Sequence, residues 1–151
     1  MSANQQPAIH VSTALAHDVD EICALEEQAF PNPWHRDFFE SELRGSGRYN
    51  LVARKHGRVV GYVFAMWFFD EMHVNKIAVE ERERRKGIAA ELMDKCIRFA
   101  RANRITSISL EVRKSNSGAQ EFYRTLDFNP SYTRPRYYPD GEAAVVMMKN
   151  V

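Results

Sequence analysis

The sequence predicts an α/β fold in which one mixed sheet carries helices on its faces. Three observations lead there. Seven short segments read as strands, and apolar residues recur at helical spacing in four others. The elements follow the order β-α-α-β-β-β-α-β-α-β-β. Within that order one helix, beginning near Gly87, crosses over between strands expected to be parallel, while the remaining strands can join as hairpins.

Ala8 to Ala14 alternates and forms the first expected strand. Asp18 is the expected N-cap of the first helix, with Glu21 as its capping-box partner. Val19, Ile22, Leu25 and Ala29 then share one helical face and the helix stops before Pro31. FPNPW, residues 30–34, is an extended loop, because a residue before proline avoids helical backbone. A second helix begins near Trp34 or His35 and runs to Leu43, and the glycines of GSG, residues 45–47, end it. Strands over 49–55 and 59–69 flank a tight turn at His56-Gly57, which is a hairpin signal. A further strand covers 72–79. The helix over 87–102 carries Ile88, Leu92, Cys96 and Phe99 or Ala100 as its apolar stripe. In the strand over 105–113, Thr106, Ile108, Leu110 and Val112 share one face, and Ser107, Ser109 and Glu111 the other. A fourth helix spans 117–126, with Ala119, Phe122, Tyr123 and Leu126 on one side. Two last strands, near 128–137 and 143–149, flank YPDGE. With no repeat, low-complexity segment or linker in view, residues 8–151 are expected to form a single domain after a disordered tail, residues 1–7.

Composition narrows the function. The chain of 151 residues holds 21 basic and 20 acidic side chains, a net charge of +1. A dedicated nucleic-acid binder is usually far more basic, so no strong nucleic-acid binding is expected. No apolar run approaches a membrane span. MSANQQPAIH lacks the basic and apolar regions of a signal peptide. The expected setting is therefore the cytoplasm, without a membrane partner. Cys23 and Cys96 lie at buried-type helical positions outside any CxxC or ligand cluster, which suits small apolar fillers in a reducing compartment. The five histidines are scattered, and no metal site is expected.

The segment that carries chemistry is RRKGIA, residues 84–89, set between a strand and a helix. The first turn of a helix has backbone N–H groups without partners and the positive end of the helix dipole. A phosphate is its natural ligand. Gly87 removes the side chain that would block an anion, Ala89 keeps the next position small, and Arg84, Arg85 and Lys86 add positive field. A solvated basic loop is the plain alternative, since Glu80, Glu81 and Glu83 offset part of that charge. Neither a GxGxxG fingerprint nor a Walker loop is present.

In this setting RRKGIA resembles the pyrophosphate-binding motif of the GNAT acetyltransferase superfamily, in which Gln or Arg, then Gly, then Gly or Ala hold fixed positions. Arg84, Gly87 and Ala89 fill them. SNSGAQEFYRTLDF resembles the family's second signature and supplies Asn116, Tyr123 and Phe128. Asp127 stands where that family usually has glycine, and Asp tolerates a positive-φ turn better than most residues. ALEEQAFPNPW, SLEVRKSNSGAQEFY and RPRYYPDGEAAVVMM extend the likeness to the bacterial ribosomal-protein-alanine N-acetyltransferase (RimI-type) branch, over most of residues 8–149.

The resemblance implies a six- to seven-stranded, mostly antiparallel sheet with helices on both faces and a splayed parallel pair around NKIAV and ISLEV. It implies acetyl-CoA as acetyl donor. The pantetheine arm would follow the backbone of Ile77, Ala78 and Val79, and the pyrophosphate would sit on the Gly87 turn and the first helical residues, Ile88, Ala89 and Ala90. Asn116 and Tyr123 would complete the cofactor site.

The implied reaction moves an acetyl group from sulfur to an amine. An α-amino group has a pKa of about 7.7–8.0 and must lose a proton before it attacks. Glu111 faces away from the apolar side of its strand and matches the family's proposed catalytic glutamate, so it is the expected base. A plain surface charge, or a partner for Arg113, is the alternative. Tyr123 is the expected acid for the departing thiolate, although its place on the apolar side of a helix also suits simple packing. Asn116 would orient the cofactor or cap its helix. A backbone N–H near Ala78 or Val79 would meet the oxyanion. Neither cysteine has a base near it in sequence, so direct attack without an acyl-enzyme is expected.

Loops are expected to recognise the substrate. Phe30, Pro33 and Trp34 form one wall, Tyr137 and Tyr138 another. Glu40, Glu42, Glu71 and Glu142 would attract a basic peptide tail or simply be solvated. The activity this implies is acetylation of the N-terminal alanine of a small-subunit ribosomal protein by a monomer or weak dimer, with a protein or peptide bearing a free N-terminus as partner. Acetylation of a small amine, such as a polyamine or aminoglycoside, is a second reading. A CoA- or RNA-binding module without turnover is a third.

Overall fold

The computed structural model describes residues 8–151, so the tail expected over residues 1–7 lies outside the described residues. In chain order the elements are β1 His10–Thr13, α1 Val19–Ala29, α2 Arg36–Arg44, β2 Arg48–Lys55, β3 Arg58–Phe68, β4 Glu71–Val79, α3 Ile88–Ala102, β5 Ser107–Arg113, α4 Ser117–Thr125, β6 Asn129–Arg134 and β7 Ala144–Asn150. The seven strands are ordered β1-β2-β3-β4-β5-β7-β6. β4 and β5 run parallel. The β1–β2, β5–β7 and β6–β7 ladders are antiparallel. No helix among the described residues is long and apolar enough to cross a membrane. By internal contacts the chain divides into two compact units, residues 8–64 with 76–93 and residues 65–75 with 94–151.

The first unit is built around Ile22 and Leu25 of α1, Phe39 of α2, and Val52, Val59, Tyr62 and Phe64 of the β2–β3 hairpin, all buried. Phe39, Tyr62 and Phe64 meet edge to face, with ring centroids 5.1–5.9 Å apart, the arrangement aromatic quadrupoles favour. His56 and Gly57 both have positive φ, 54° and 75°, as a two-residue hairpin turn of the right twist requires. The expected capping box is absent. Asp18 does precede α1, but its side chain makes no cap bond to that helix. One of its oxygens accepts from Leu15 N at 2.8 Å and the other pairs with Arg54 of β2. Glu21 instead accepts from Val59 N at 2.9 Å. Both carboxylates tie the start of α1 to the hairpin, contacts that act at long sequence distance.

Gly61 of β3 matters for close approach. A Cβ there would lie 3.1 Å from the Ala78 carbonyl oxygen and 3.3 Å from Ile88 Cγ2. The bare position lets β3 sit tightly against the end of β4 and the first residue of α3, and Glu80 N donates to Val60 O at 2.8 Å.

In the second unit β5 alternates as expected: Ile108, Leu110 and Val112 are buried, while Ser107, Ser109 and Glu111 are half-exposed. Its parallel ladder with β4 is short, Glu71↔Ser107, Met72↔Ile108 and His73↔Ser109, and ends there although both strands continue. β6 is exposed along its length and carries Pro130, with a bulge before Tyr132, features of an edge strand. Asn116 caps α4, its Oδ1 accepting from Ala119 N at 3.0 Å. Asp127 has φ 66°, the left-handed turn expected where the family carries glycine. Along α3, Ile88, Leu92, Met93, Cys96, Ile97 and Ala100 are buried. Burial pushes the Cys96 thiol up to about 12, and Cys23 is also raised by burial. Both cysteines are free.

Candidate active site

Three groups of functional side chains stand out, two in the first unit and one in the second. The first is the turn between β4 and α3. After Val79 the chain makes a 3-10 turn, Glu81–Glu83, then passes through Arg85 at φ 64° and Gly87 at φ 83° before α3 begins at Ile88. Alternating left-handed positions of this kind turn successive amides toward one concavity. The bond from Glu91 N to Gly87 O, 3.0 Å, closes the first turn of α3, so the amides of Ile88, Ala89 and Ala90 precede it. A Cβ built on Gly87 meets no atom within 4 Å, so the turn presents an open face to a ligand.

The charge of this loop is less compensated than the sequence suggests. Glu80 is paired with Arg58, and Glu83 with Lys55 at 3.0 Å, both bases from outside the loop. Lys55 holds the Glu83 carboxyl below the ordinary range against the opposing effect of burial, with Lys86 adding to it. Arg84 is not a loose cation: its Nε donates to Val79 O at 3.1 Å, which fixes the exit from β4. Of the remaining residues expected here, Ile77, Ala89 and Ala90 are half-exposed, Ala78, Val79 and Ile88 are buried, and Arg85 and Lys86 are exposed. An anionic pyrophosphate fits this turn. Replacing Gly87 with leucine should weaken coenzyme A binding at least tenfold, because a side chain would fill the open face. A left-handed leucine costs about 1–2 kcal/mol, so the melting temperature should fall by only a few degrees. Calorimetric titration beside a thermal melt checks both.

The second group is the aromatic loop. Glu26 of α1 is fully buried and receives three donors. Trp34 N donates to Oε2 at 2.9 Å, Lys76 Nζ lies 2.9 Å from the same oxygen, and Tyr62 Oη donates to Oε1. The Lys76 ammonium also sits 3.8 Å from the centroid of Phe30 and 4.8 Å from that of Trp34, a cation–π contact on each ring. Trp34 packs in turn on Phe38 and Phe39. The structure thus brings Phe30 and Trp34 together and leaves Pro33 exposed between them. Neither Lys76 nor Glu26 was expected in this role.

The third group surrounds Glu111. One oxygen, Oε2, bonds to His73 Nε2. The other, Oε1, receives Arg134 Nη1 at 3.2 Å and Tyr137 Oη at 3.4 Å. His73 Nδ1 is 2.6 Å from Asn75 Oδ1. The Glu111 side chain is 10% exposed and that of His73 33%. Burial alone would raise the Glu111 carboxyl, but His73 and then Arg134 outweigh it and hold the group below its ordinary range. Burial alone would lower His73, but Glu111 outweighs it and raises the imidazole. The expected alternative partner, Arg113, is engaged elsewhere: its Nη1 reaches Asp140 at 2.8 Å and Glu142 at 2.9 Å, and its guanidinium covers the Tyr138 ring at 4.1 Å. Tyr137 and Tyr138 meet edge to face at 5.0 Å, which joins the expected second wall to Glu111. Burial, and then Tyr137, push the Tyr138 phenol up to about 12. Tyr123 is buried, stacked at its edges on Phe122 and Phe128, and its phenol is raised by burial, so it is protonated at neutral pH.

Three of the four glutamates considered as a lure for basic peptides are tied up internally. Glu40 pairs with Arg36 and Glu42 with Arg48, and Glu142 accepts from Ser115 N at 2.8 Å as well as Arg113. Hydrogen bonds from Ser115, then from Arg113, hold Glu142 down at about 2, against an ordinary value of 4.5. A depressed acid contributes stability that is complete above its unfolded pKa and is lost as pH falls through the folded one. Glu142→Gln should therefore lower the melting temperature at neutral pH. The gap to the wild type should narrow as pH drops below 4.5 and close near 2, a trend read from melts at a series of pH values.

His73, Asn75 and Arg134 were missed by sequence reasoning. A signal existed: Met72 and Val74 are buried while His73 and Asn75 are half-exposed, and a polar pair alternating in an otherwise apolar strand marks a face in use. Residues 19–128 match the sequence profile of the Acetyltransferase (GNAT) family. The chain is 32% identical to an N-alpha-acetyltransferase of Sulfurisphaera tokodaii, over 91% of this chain and 90% of the relative. It is 28% identical to the ribosomal protein bS18-alanine N-acetyltransferase of Haemophilus ducreyi, over 91% and 97%. Among solved structures it resembles the ribosomal-protein-S18-alanine N-acetyltransferase of Escherichia coli, with a TM-score of 0.89 and 27% identity over 95% of this chain and 94% of that one. The chain belongs to the GNAT family and is an acetyl-CoA-dependent acetyltransferase.

Proposed function

We propose that the chain acetylates the N-terminal α-amine of proteins in the cytoplasm, its preferred substrate being a small-subunit ribosomal protein that begins with alanine. The observation that carries this reading is the ionised, half-buried Glu111 beside the exposed Tyr137. A peptide N-terminus brings an α-ammonium that must be discharged, and a carboxylate at the mouth of a tyrosine-lined surface attracts that cation and takes its proton. The names of the Sulfurisphaera and Haemophilus relatives support the same substrate class.

In this reading the amides of the Gly87 turn hold the pyrophosphate of acetyl-CoA and an N–H at Ala78 or Val79 steadies the oxyanion. The amine nitrogen gives up two protons in all. The first goes to Glu111 and leaves the lone pair free to bond to the thioester carbon. The second balances the thiolate as the C–S bond breaks, with the Tyr123 phenol supplying that proton at sulfur. The net products are amide, coenzyme A and one proton. Burial keeps the Tyr123 phenol protonated at neutral pH, so it carries a hydrogen to offer the departing thiolate. Asn116 holds the start of α4, which carries Tyr123. Within the first unit this reading assigns Phe30, Pro33 and Trp34 to the peptide, and within the second Tyr137 and Tyr138.

Peptides beginning with Ala, Ser or Met, and spermidine as a competing amine, should be incubated with acetyl-CoA and followed by mass. Addition of one acetyl group to the α-amine of the Ala peptide, faster than to the others, is the expected result. Acetylation of spermidine alone, or of nothing, overturns the reading.

A further inference from the structure

Within the second unit, the tip of the β3–β4 hairpin carries side chains that its own turn does not favour. Phe68 and Phe69 are 72% and 79% exposed, and their rings meet edge to face at 4.4 Å. Phe69 holds φ 53°, in the left-handed region where glycine or asparagine sits freely and a bulky residue is strained. The adjoining turn repeats the pattern. Asn103 N and Ile105 N close the end of α3 on Phe99 O and Ala100 O, and Arg104 between them takes φ 60°, where helices commonly place glycine. Thr106 N donates to Asp70 O at 2.8 Å and fastens this turn to the hairpin tip. Each of two joined turns therefore holds a large exposed side chain at a position that suits a small one. Neither side chain adds to the core, and a protruding aromatic pair of this kind marks an interaction surface.

The charges beside the rings select the partner. Glu71 opens β4 and Arg104 lies in the turn after α3; both are exposed, and neither makes an ion pair among the described residues. A basic peptide would meet Arg104 as a like charge. A nucleic acid or an anionic membrane would meet Glu71 and Asp70 in the same way. A second copy escapes both penalties: turned by a two-fold axis, it sets each Glu71 against the partner's Arg104 around a centre of four phenylalanine rings. We propose that Phe68, Phe69, Glu71 and Arg104 form the contact face of a weak, symmetric dimer of this chain. Four rings exposed to this degree bury roughly 600 Å² when covered. Interfaces under about 1,200 Å² in total are weak, so the pairing should be micromolar or looser. It is independent of the substrate reading.

Sedimentation equilibrium over a dilution series from about 1 mM to about 1 μM tests this. The weight-average mass should climb from one protomer toward two as concentration rises. Phe69→Asn suits the left-handed turn and removes the central ring. Its dimer dissociation constant should rise at least tenfold, while its melting temperature at high dilution stays no lower than that of the wild type, which shows that the fold is intact. Glu71→Arg and Arg104→Glu should each weaken the dimer several-fold. The double variant Glu71→Arg/Arg104→Glu should return close to the wild-type constant, because exchanging both charges restores both pairs. Wild type that stays monomeric at about 1 mM, or Phe69→Asn that associates as the wild type does, overturns the proposal. A double variant no tighter than the weaker single variant defeats the two-fold pairing. A KM for an Ala-initiated peptide that rises in Phe69→Asn, with wild type and variant both monomeric, would give the surface to the substrate instead.

Discussion

Glu111→Gln is expected to lower the turnover of α-amine acetylation by about 10²- to 10⁴-fold, the span general acid–base groups contribute. Coenzyme A affinity should stay unchanged. The amide has the shape of the carboxylate and keeps an oxygen for Arg134 or Tyr137, so the surroundings have little cause to rearrange. What disappears is the negative charge that draws the ammonium and accepts its proton. Steady-state kinetics at saturating acetyl-CoA, beside a calorimetric titration with coenzyme A, separates the two quantities. A variant that retains more than a tenth of wild-type turnover would remove Glu111 from the chemistry. A large loss of coenzyme A affinity would place its role in binding instead.

The second large effect is on stability. Lys76→Met should cost about 3–5 kcal/mol, the usual penalty for breaking one side of a buried ion pair. Glu26 is fully buried, and Lys76 supplies the only positive charge among its described partners. The Trp34 amide and Tyr62 hydroxyl would remain, but neither neutralises the carboxylate. The double variant Glu26→Leu/Lys76→Met should recover a large part of the loss, because well-packed apolar replacements of a buried pair are often neutral or better. Urea unfolding of the wild type, the single and the double variant gives the three numbers. A single variant within 1 kcal/mol of the wild type would show that the cluster contributes no such energy. Because Lys76 also holds Phe30 and Trp34, the single variant should raise the KM for peptide more than that for acetyl-CoA.

Much of this fold was legible in the sequence for a physical reason. Apolar periodicity, short apolar runs and turn signals are local, and they gave every α-helix and strand in order, with some ends displaced by one to three residues where caps and 3-10 turns intervene. The parallel β4–β5 pair followed from one crossover helix, and the left-handed Asp127 from a missing glycine. Glu111 was readable because strand alternation puts it on the polar face. What could not be read is pairing. His73 and Glu111 are 38 residues apart, and Arg134 and Glu111 are 23. Asp18 and Glu21 carry a capping-box spacing, yet the hairpin offered them Arg54 and Val59 N instead. Local propensity has no knowledge of such competitors. The same blindness hid the fact that Glu42 and Glu142 are structural braces rather than a lure for substrate.

The burial of Cys96 has a practical consequence. Disulfide reagents that report sulfhydryls by colour react with the thiolate, and a thiol pushed up to about 12 supplies almost none at the pH of an acetyl-transfer reaction. Cys23 is shifted in the same direction by burial. In such an assay Cys96 stays nearly silent, and the colour that develops above the enzyme's own blank counts the coenzyme A set free, one sulfhydryl for each amine acetylated.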